Sequence, residues 1–236
     1  MANDIRFLSS VNFYANETNR SANLGQLAET QDGRKFRYVL AGVTTLVVGD
    51  LQQSQAETTN FKDMAAQAIA AIGATVVPVT LGGTATAVTE TSAGNLIGGL
   101  LVVSATPGIG QFSRILTHDT QTSTTGTANI TIEDPLTVAT STSSLITAYP
   151  SPWRNNIIHP TTSTGISTGV AVFAIVNAKY GWLQTGGLGA CLGDATASTA
   201  ANQALSPSVS TAGAVTKAVT LAERIGTSYP VATVSA

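Results

Sequence analysis

Two histidines, one cysteine and 13 acidic side chains are the material this 236-residue chain offers for a reaction centre. Acid–base, nucleophilic or metal chemistry needs several such groups converging on one point, and here they are thinly scattered. His118 and His159 stand apart with no ligand motif, and a zinc site needs three or four ligands; they are read as hydrogen-bonding residues, with no metal and no cofactor. Glu133-Asp134 precedes Pro135 and reads as a turn. A glycoside hydrolase would need two carboxylates facing each other, and nothing in the spacing recommends one. Gly165-Ile166-Ser167-Thr168-Gly169 fits the G-x-S-x-G elbow, which demands a strand before it, a helix after it and the order Ser, acid, His. Here a Pro/Thr loop precedes, the β-like run 170–176 follows, and both histidines lie upstream, so the segment is read as a loop. Gly108-Ile109-Gly110 lacks the following helix and third glycine of a dinucleotide loop. Asn16-Glu17-Thr18 and Asn129-Ile130-Thr131 are sequons, meaningful only in a secreted chain. Cys191, among small and apolar neighbours, is expected to be buried and inert. The chemistry points away from an enzyme.

The elements that would position these residues are β. Val and Thr suit a pleated surface, and Gly, Asn, Asp and Pro supply turns. Asp32-Gly33 marks a type I′ hairpin, followed by the alternating strand 35–39. Candidate strands follow at 75–81, 100–104, 112–117, 128–132 and 145–148, then at 170–176, 181–184, 214–219 and 231–234. One helix is expected over about 61–72: Asn60 caps it, Phe61, Met64, Ala65, Ala68, Ile69 and Ile72 share a face, and Gly73 stops it. The fold class is therefore mainly β, short-stranded sandwich or barrel modules with one short α-helix. Residues 1–23 read as an extended arm, 24–73 plus 151–236 as a composite β base domain, and 74–150 as a second β-module. Trp182 is expected in the core. Trp153 and Arg154 sit in a Pro-rich, linker-like segment, where an aromatic serves as a domain anchor or an interface hot spot.

Charged residues make up 10% of the chain, against about 25% in ordinary soluble domains. A surface this neutral is expected to be partly covered by partners. The net charge of −2 leaves no basic footprint for nucleic acid. The longest apolar runs, 96–103 and 170–176, fall well short of the ~20 residues that span a bilayer, so no membrane partner is expected. The first ten residues lack the apolar stretch of a secretory signal, which makes a cytosol the expected place of synthesis.

Three stretches, taken in order, resemble the capsid decoration (cement) proteins of tailed bacteriophages. GQLAETQDGRKFRYVLAGVTTLVVGDLQQS resembles that family's N-terminal hairpin and following strand. NLIGGLLVVSATPGIGQFSRILTHDT with NITIEDPLTVAT resembles its central β-module. AKYGWLQTGGLGACLGD with STAGAVTKAV and RIGTSY resembles its C-terminal β-segment. The resemblance implies a virion protein made in the host cytoplasm that binds the outside of an icosahedral head. Its partners would be the major capsid protein and its own copies, as a homotrimer or other homo-oligomer. A tail, baseplate or head-fibre component is the alternative. Phe7, Phe13 and Tyr14 of the arm, with Trp153 and Arg154, are the candidate capsid or subunit contacts. An arm that drapes over a capsid subunit could lose residues 2–20 without harm to the fold.

Overall fold

The computed structural model describes residues 6–7, 11–56, 61–81, 94–121, 126–195, 203–218 and 226–227. The regular elements among them are sixteen short strands. In chain order they begin with β1 (Arg6–Phe7), β2 (Leu27–Glu29), β3 (Lys35–Leu40), β4 (Leu51–Gln53) and β5 (Met64–Ala65). Next come β6 (Val76–Thr80), β7 (Leu100–Val103), β8 (Phe112–His118), β9 (Thr127–Ile132), β10 (Leu145–Tyr149) and β11 (Ile157–Ile158). The series ends with β12 (Ser167–Ala171), β13 (Tyr180–Gly186), β14 (Ala204–Pro207), β15 (Val215–Lys217) and β16 (Gly226–Thr227). The expected strand 231–234 lies outside the described residues.

The chain divides into two compact units, Met1–Ala56 with Pro152–Ala236, and Glu57–Ser151. Residues 57–73 thus fall in the second unit rather than with the base.

The first unit holds a seven-stranded sheet in the order β1-β2-β3-β13-β12-β4-β11 and a three-stranded sheet β15-β14-β16. Alternation along β3 and β13 gives the larger sheet two apolar faces. Phe36, Tyr38, Leu40, Tyr180 and Trp182 line one, and Trp182 is core as expected. Val39, Ala41, Leu46, Ala171, Ile175 and Leu183 line the other. The Asp32-Gly33 hairpin joins β2 to β3, but only Gly33 takes a positive φ. The Thr30 and Arg34 backbones close a longer loop, N–H to O at 3.0 Å, so the turn is not type I′.

The second unit is a six-stranded sheet ordered β5-β10-β7-β8-β9-β6. A bridge between Ala66 and Val79 links its two edges, which makes it a nearly closed barrel. Val77, Val79, Leu101, Val103, Ile115, Ile130, Ile132 and Ile146 fill the inside. All five strands expected between 75 and 148 are present. The expected helix over 61–72 is not. Met64 and Ala65 pair with Ile146 and Leu145, Gln67 N–H donates to the Pro78 carbonyl at 2.9 Å, and Gly73 N–H donates to the Leu136 carbonyl at 2.8 Å. Asp63 has φ +52°, outside the right-handed helical region. Ile69 and Ile72, counted into the apolar stripe, are about 70% exposed. So short a helix depends on burying its stripe; here the barrel takes only Phe61, Met64, Ala66 and Ala70, and the sheet edges claim the backbone.

Candidate interaction surface

The arm is the first place where expectation and structure part. From Val11 onward it lies against the aromatic face of the first unit. Phe13 stacks on Phe36 with ring centroids 4.1 Å apart and meets Trp182 edge-on at 5.6 Å. Glu17 and Tyr180 exchange both backbone hydrogen bonds, at 3.0 and 2.9 Å. The Asn16 side chain donates to the Ala174 carbonyl and accepts from the Val176 N–H, both at 2.8 Å. The hydroxyls of Ser21 and Tyr38 both donate to the Glu17 carboxylate. Residues 11–20 are therefore part of the fold, and the expectation that they could be removed without harm is corrected. Phe13 is engaged internally, while Tyr14 stands 54% exposed. Phe7 lies on β1, whose backbone pairs in parallel with β2 (Phe7 beside Glu29).

This tether has a pH signature. Burial first, and then the hydrogen bond to Glu17, push the Tyr38 pKa from 10.0 up to about 12. In the unfolded chain the phenol ionises near its ordinary value, so between about pH 10 and 12 the folded state holds the extra proton. Stability is then lost as pH rises through that window. Tyr38→Phe is expected to cost about 1–2 kcal/mol at neutral pH and to flatten that alkaline loss. Urea midpoints measured across the window check both effects.

Trp153 packs against the second apolar face of the same sheet. The Arg37 guanidinium lies 5.4 Å from its ring centroid, and its carbonyl accepts from the Leu40 N–H at 3.0 Å. Gly25 has φ +79°, and a Cβ there would sit 2.4 Å from Trp153 Cδ1, so the indole occupies the space that glycine leaves. Arg154 is 1% exposed and offers nothing at the surface of the chain, a correction to its place among the candidate contacts. The segment that reads as a linker is built into the sheet through β11 and a bridge from Ala41 to Asn156.

The two histidines each set a ring nitrogen against a neighbouring backbone carbonyl. His118 Nε2 accepts from the Leu96 N–H at 3.1 Å, which leaves Nδ1 to donate to the Asp119 carbonyl at 2.8 Å. His159 Nδ1 lies 2.8 Å from the Pro160 carbonyl. Asp134 and Ser113 share a turn contact, with the Asp134 N–H donating to Ser113 Oγ at 2.7 Å. Ser167 opens β12 rather than standing on a loop. Both glycines of its G-x-S-x-G answer to close approach. A Cβ at Gly165 would lie 2.5 Å from Ser54 Oγ, and one at Gly169 2.5 Å from the Gln184 carbonyl oxygen. Cys191 is exposed, against expectation. Partial desolvation of its sulfur still pushes the thiol pKa up, which keeps it a poor nucleophile at neutral pH. Among the described residues no three His, Cys, Asp or Glu side chains come together as a metal site.

What the structure does gather is apolar surface on the outside of the second unit. Register sets Tyr149 beside Leu100 and Leu100 beside Arg114, with Val102 beside Phe112 in the next row. Phe112 is 70%, Tyr149 52%, Leu100 46% and Leu116 44% exposed. Arg114 is the one charged side chain in these rows, and its NH1 lies 4.0 Å from the Glu133 carboxylate. Phe112 also borders an open groove of about 550 Å³ shared with Ile109, Gln111, Asp134 and Val138. None of the apolar members was singled out from sequence. The alternation of β7 and β8 was visible, but both of their faces carry large apolar residues, so it did not say which looked outward.

No family model, curated protein or solved structure matches the chain.

Proposed function

We propose that this chain is a non-enzymatic virion structural protein that binds the outer surface of a bacteriophage icosahedral capsid and stabilises the head. Its partners in this reading are the major capsid protein and further copies of itself. The observation that carries the reading is the charge-poor apolar surface on the barrel wall of the second unit, where Leu100, Phe112, Leu116 and Tyr149 are exposed. Contiguous apolar patches on soluble proteins mark interaction surfaces, and a protein repeated over a lattice gains avidity from many modest contacts rather than one deep pocket. The order of the three segments that resemble decoration proteins supplies the partner.

The test is co-sedimentation of the purified chain with expanded heads lacking it, counting copies bound at saturation. Saturation at a multiple of the symmetry-related sites of the shell is the expected result. A handful of copies at one vertex, or no binding, overturns it and moves the assignment to a tail, baseplate or fibre component.

A further inference from the structure

The outer rows of β10, β7 and β8, together with the groove beside Phe112, have the makings of a self-complementary surface. The Gln111 side chain ties the two sides of the groove together. Gln111 Oε1 accepts from the Thr137 N–H, the Thr137 hydroxyl and the Val138 N–H at 2.7–3.0 Å. Its Nε2 donates to the Gly108 and Val138 carbonyls, both at 3.0 Å. With that amide saturated, the groove presents Ile109 and Val138, 60% and 48% exposed, beside Phe112, with the Asp134 carboxylate in its wall. A few residues away, Leu100 and Tyr149 form an apolar ridge on the same barrel wall.

We infer that this wall is where one copy of the chain docks on another, through Leu100, Ile109, Phe112, Leu116, Val138 and Tyr149. Three observations favour a second copy over a foreign partner. Ridge and groove lie on one chain, so each copy brings both halves of the contact. The charges at the margin are balanced: Arg114 stands beside Glu133, and Asp134 lies in the groove wall. Two copies can therefore meet cation to carboxylate, whereas a strongly acidic or basic partner finds no matching field. The area is also adequate. Half-exposed side chains of this size present ~100 Å² each, so six give roughly 600 Å², near the ~800 Å² per partner of a standard interface once its polar rim is added.

This rests on the proposed function and deepens its self-association part, assigning the same apolar surface to contact between copies, and shell binding is tested separately. Sedimentation velocity on the full chain over a wide concentration range tests it, comparing wild type with Phe112→Asp and Leu100→Asp. Leu188→Asp, at an exposed apolar position of the first unit, serves as control. The expected result is a wild-type and Leu188→Asp oligomer, with both other variants at least tenfold weaker in association and unchanged in circular dichroism. A wild type that stays monomeric at the highest concentration, or an oligomer that survives both changes, overturns the inference. Should either variant misfold, hydroxyl-radical labelling of the wild type decides. Labelling of Phe112 and Tyr149 that falls with concentration supports docking here, and labelling that stays constant overturns it. Heads that bind a monomeric wild type would sink this inference alone. A Phe112-dependent oligomer that ignores heads would sink only the shell-binding reading.

Discussion

Replacing Gly99 with alanine is expected to unfold the second unit at temperatures the wild type withstands, at a cost of about 3–5 kcal/mol. A Cβ at this position would lie 2.0 Å from the Tyr149 carbonyl oxygen and 2.9 Å from that of Leu96. Both are backbone atoms, so no side chain can swing aside. Relief requires β7 and β10 to separate next to the Leu100–Tyr149 pair. It would also pull on the Ile115 N–H, which donates to the Gly99 carbonyl at 2.9 Å. Gly110→Ala is the matched control: nothing lies within 4 Å of its Cβ, but its φ is +86°, so only the left-handed strain of about 1–2 kcal/mol is expected. Thermal melts followed by circular dichroism should place Gly99→Ala well below Gly110→Ala. Equal midpoints would show that the strands yield without cost.

Cutting residues 2–20 is expected to destroy the fold of the first unit, whereas cutting residues 2–10 leaves it standing. The longer deletion removes Phe13 from its stack on Phe36 and Trp182. Phe→Ala changes in packed sites cost about 3–5 kcal/mol, and Phe13, half-buried, belongs at the lower end. The same cut removes the Glu17–Tyr180 bridge and strips the buried Tyr38 hydroxyl of its carboxylate acceptor, which adds about 1–3 kcal/mol. The sum approaches the 5–15 kcal/mol that holds a typical domain together. Deleting residues 2–10 spares every one of these contacts. Trp182 lies against the lost ring, so its fluorescence and the soluble yield report the difference. A 2–20 deletion that melts with the wild type would mean that the arm's packing contributes nothing.

The second unit was the more legible of the two. Its strands come as runs of Val, Ile, Leu and Thr separated by Gly, Pro and polar clusters, and local pattern sufficed to place β6 through β10. The first unit hides its strands. Leu51-Gln52-Gln53 and Ile157-Ile158 are too short and too polar to announce themselves, yet they pair with each other, Ile157 beside Gln53. A partner about a hundred residues away defines both. The helix over 61–72 failed for the converse reason: its local spacing was sound, but the barrel supplied backbone partners and left Ile69 and Ile72 in solvent.

The candidate site divides along the same line. Phe13, Trp153 and Arg154 stood out as aromatic or charged residues in unstructured-looking segments. Whether such a residue faces a partner or its own sheet depends on what lies above it, and here the sheet of the first unit engages Phe13 and Trp153, while Arg154 is buried. Leu100, Phe112 and Tyr149 were unremarked because an apolar residue in a strand is read as core by default. The shift of register between Ile115 and Thr117 turns His118 inward while Leu116 and Thr117 both face out. No alternation rule carries through such a bulge.

The sequence by itself determined that this protein is mainly β, poor in charge, and sparing with the side chains chemistry needs. Those properties follow from composition and from the period-two pattern, which are local and survive any arrangement of the strands. Tertiary structure alone decided that the arm is part of the fold, that the apparent linker is built into the sheet through a two-residue strand, and which wall of the barrel looks outward. Each of these depends on contacts between residues distant in the chain. A strand's two faces become distinguishable only once its neighbours in the sheet are known.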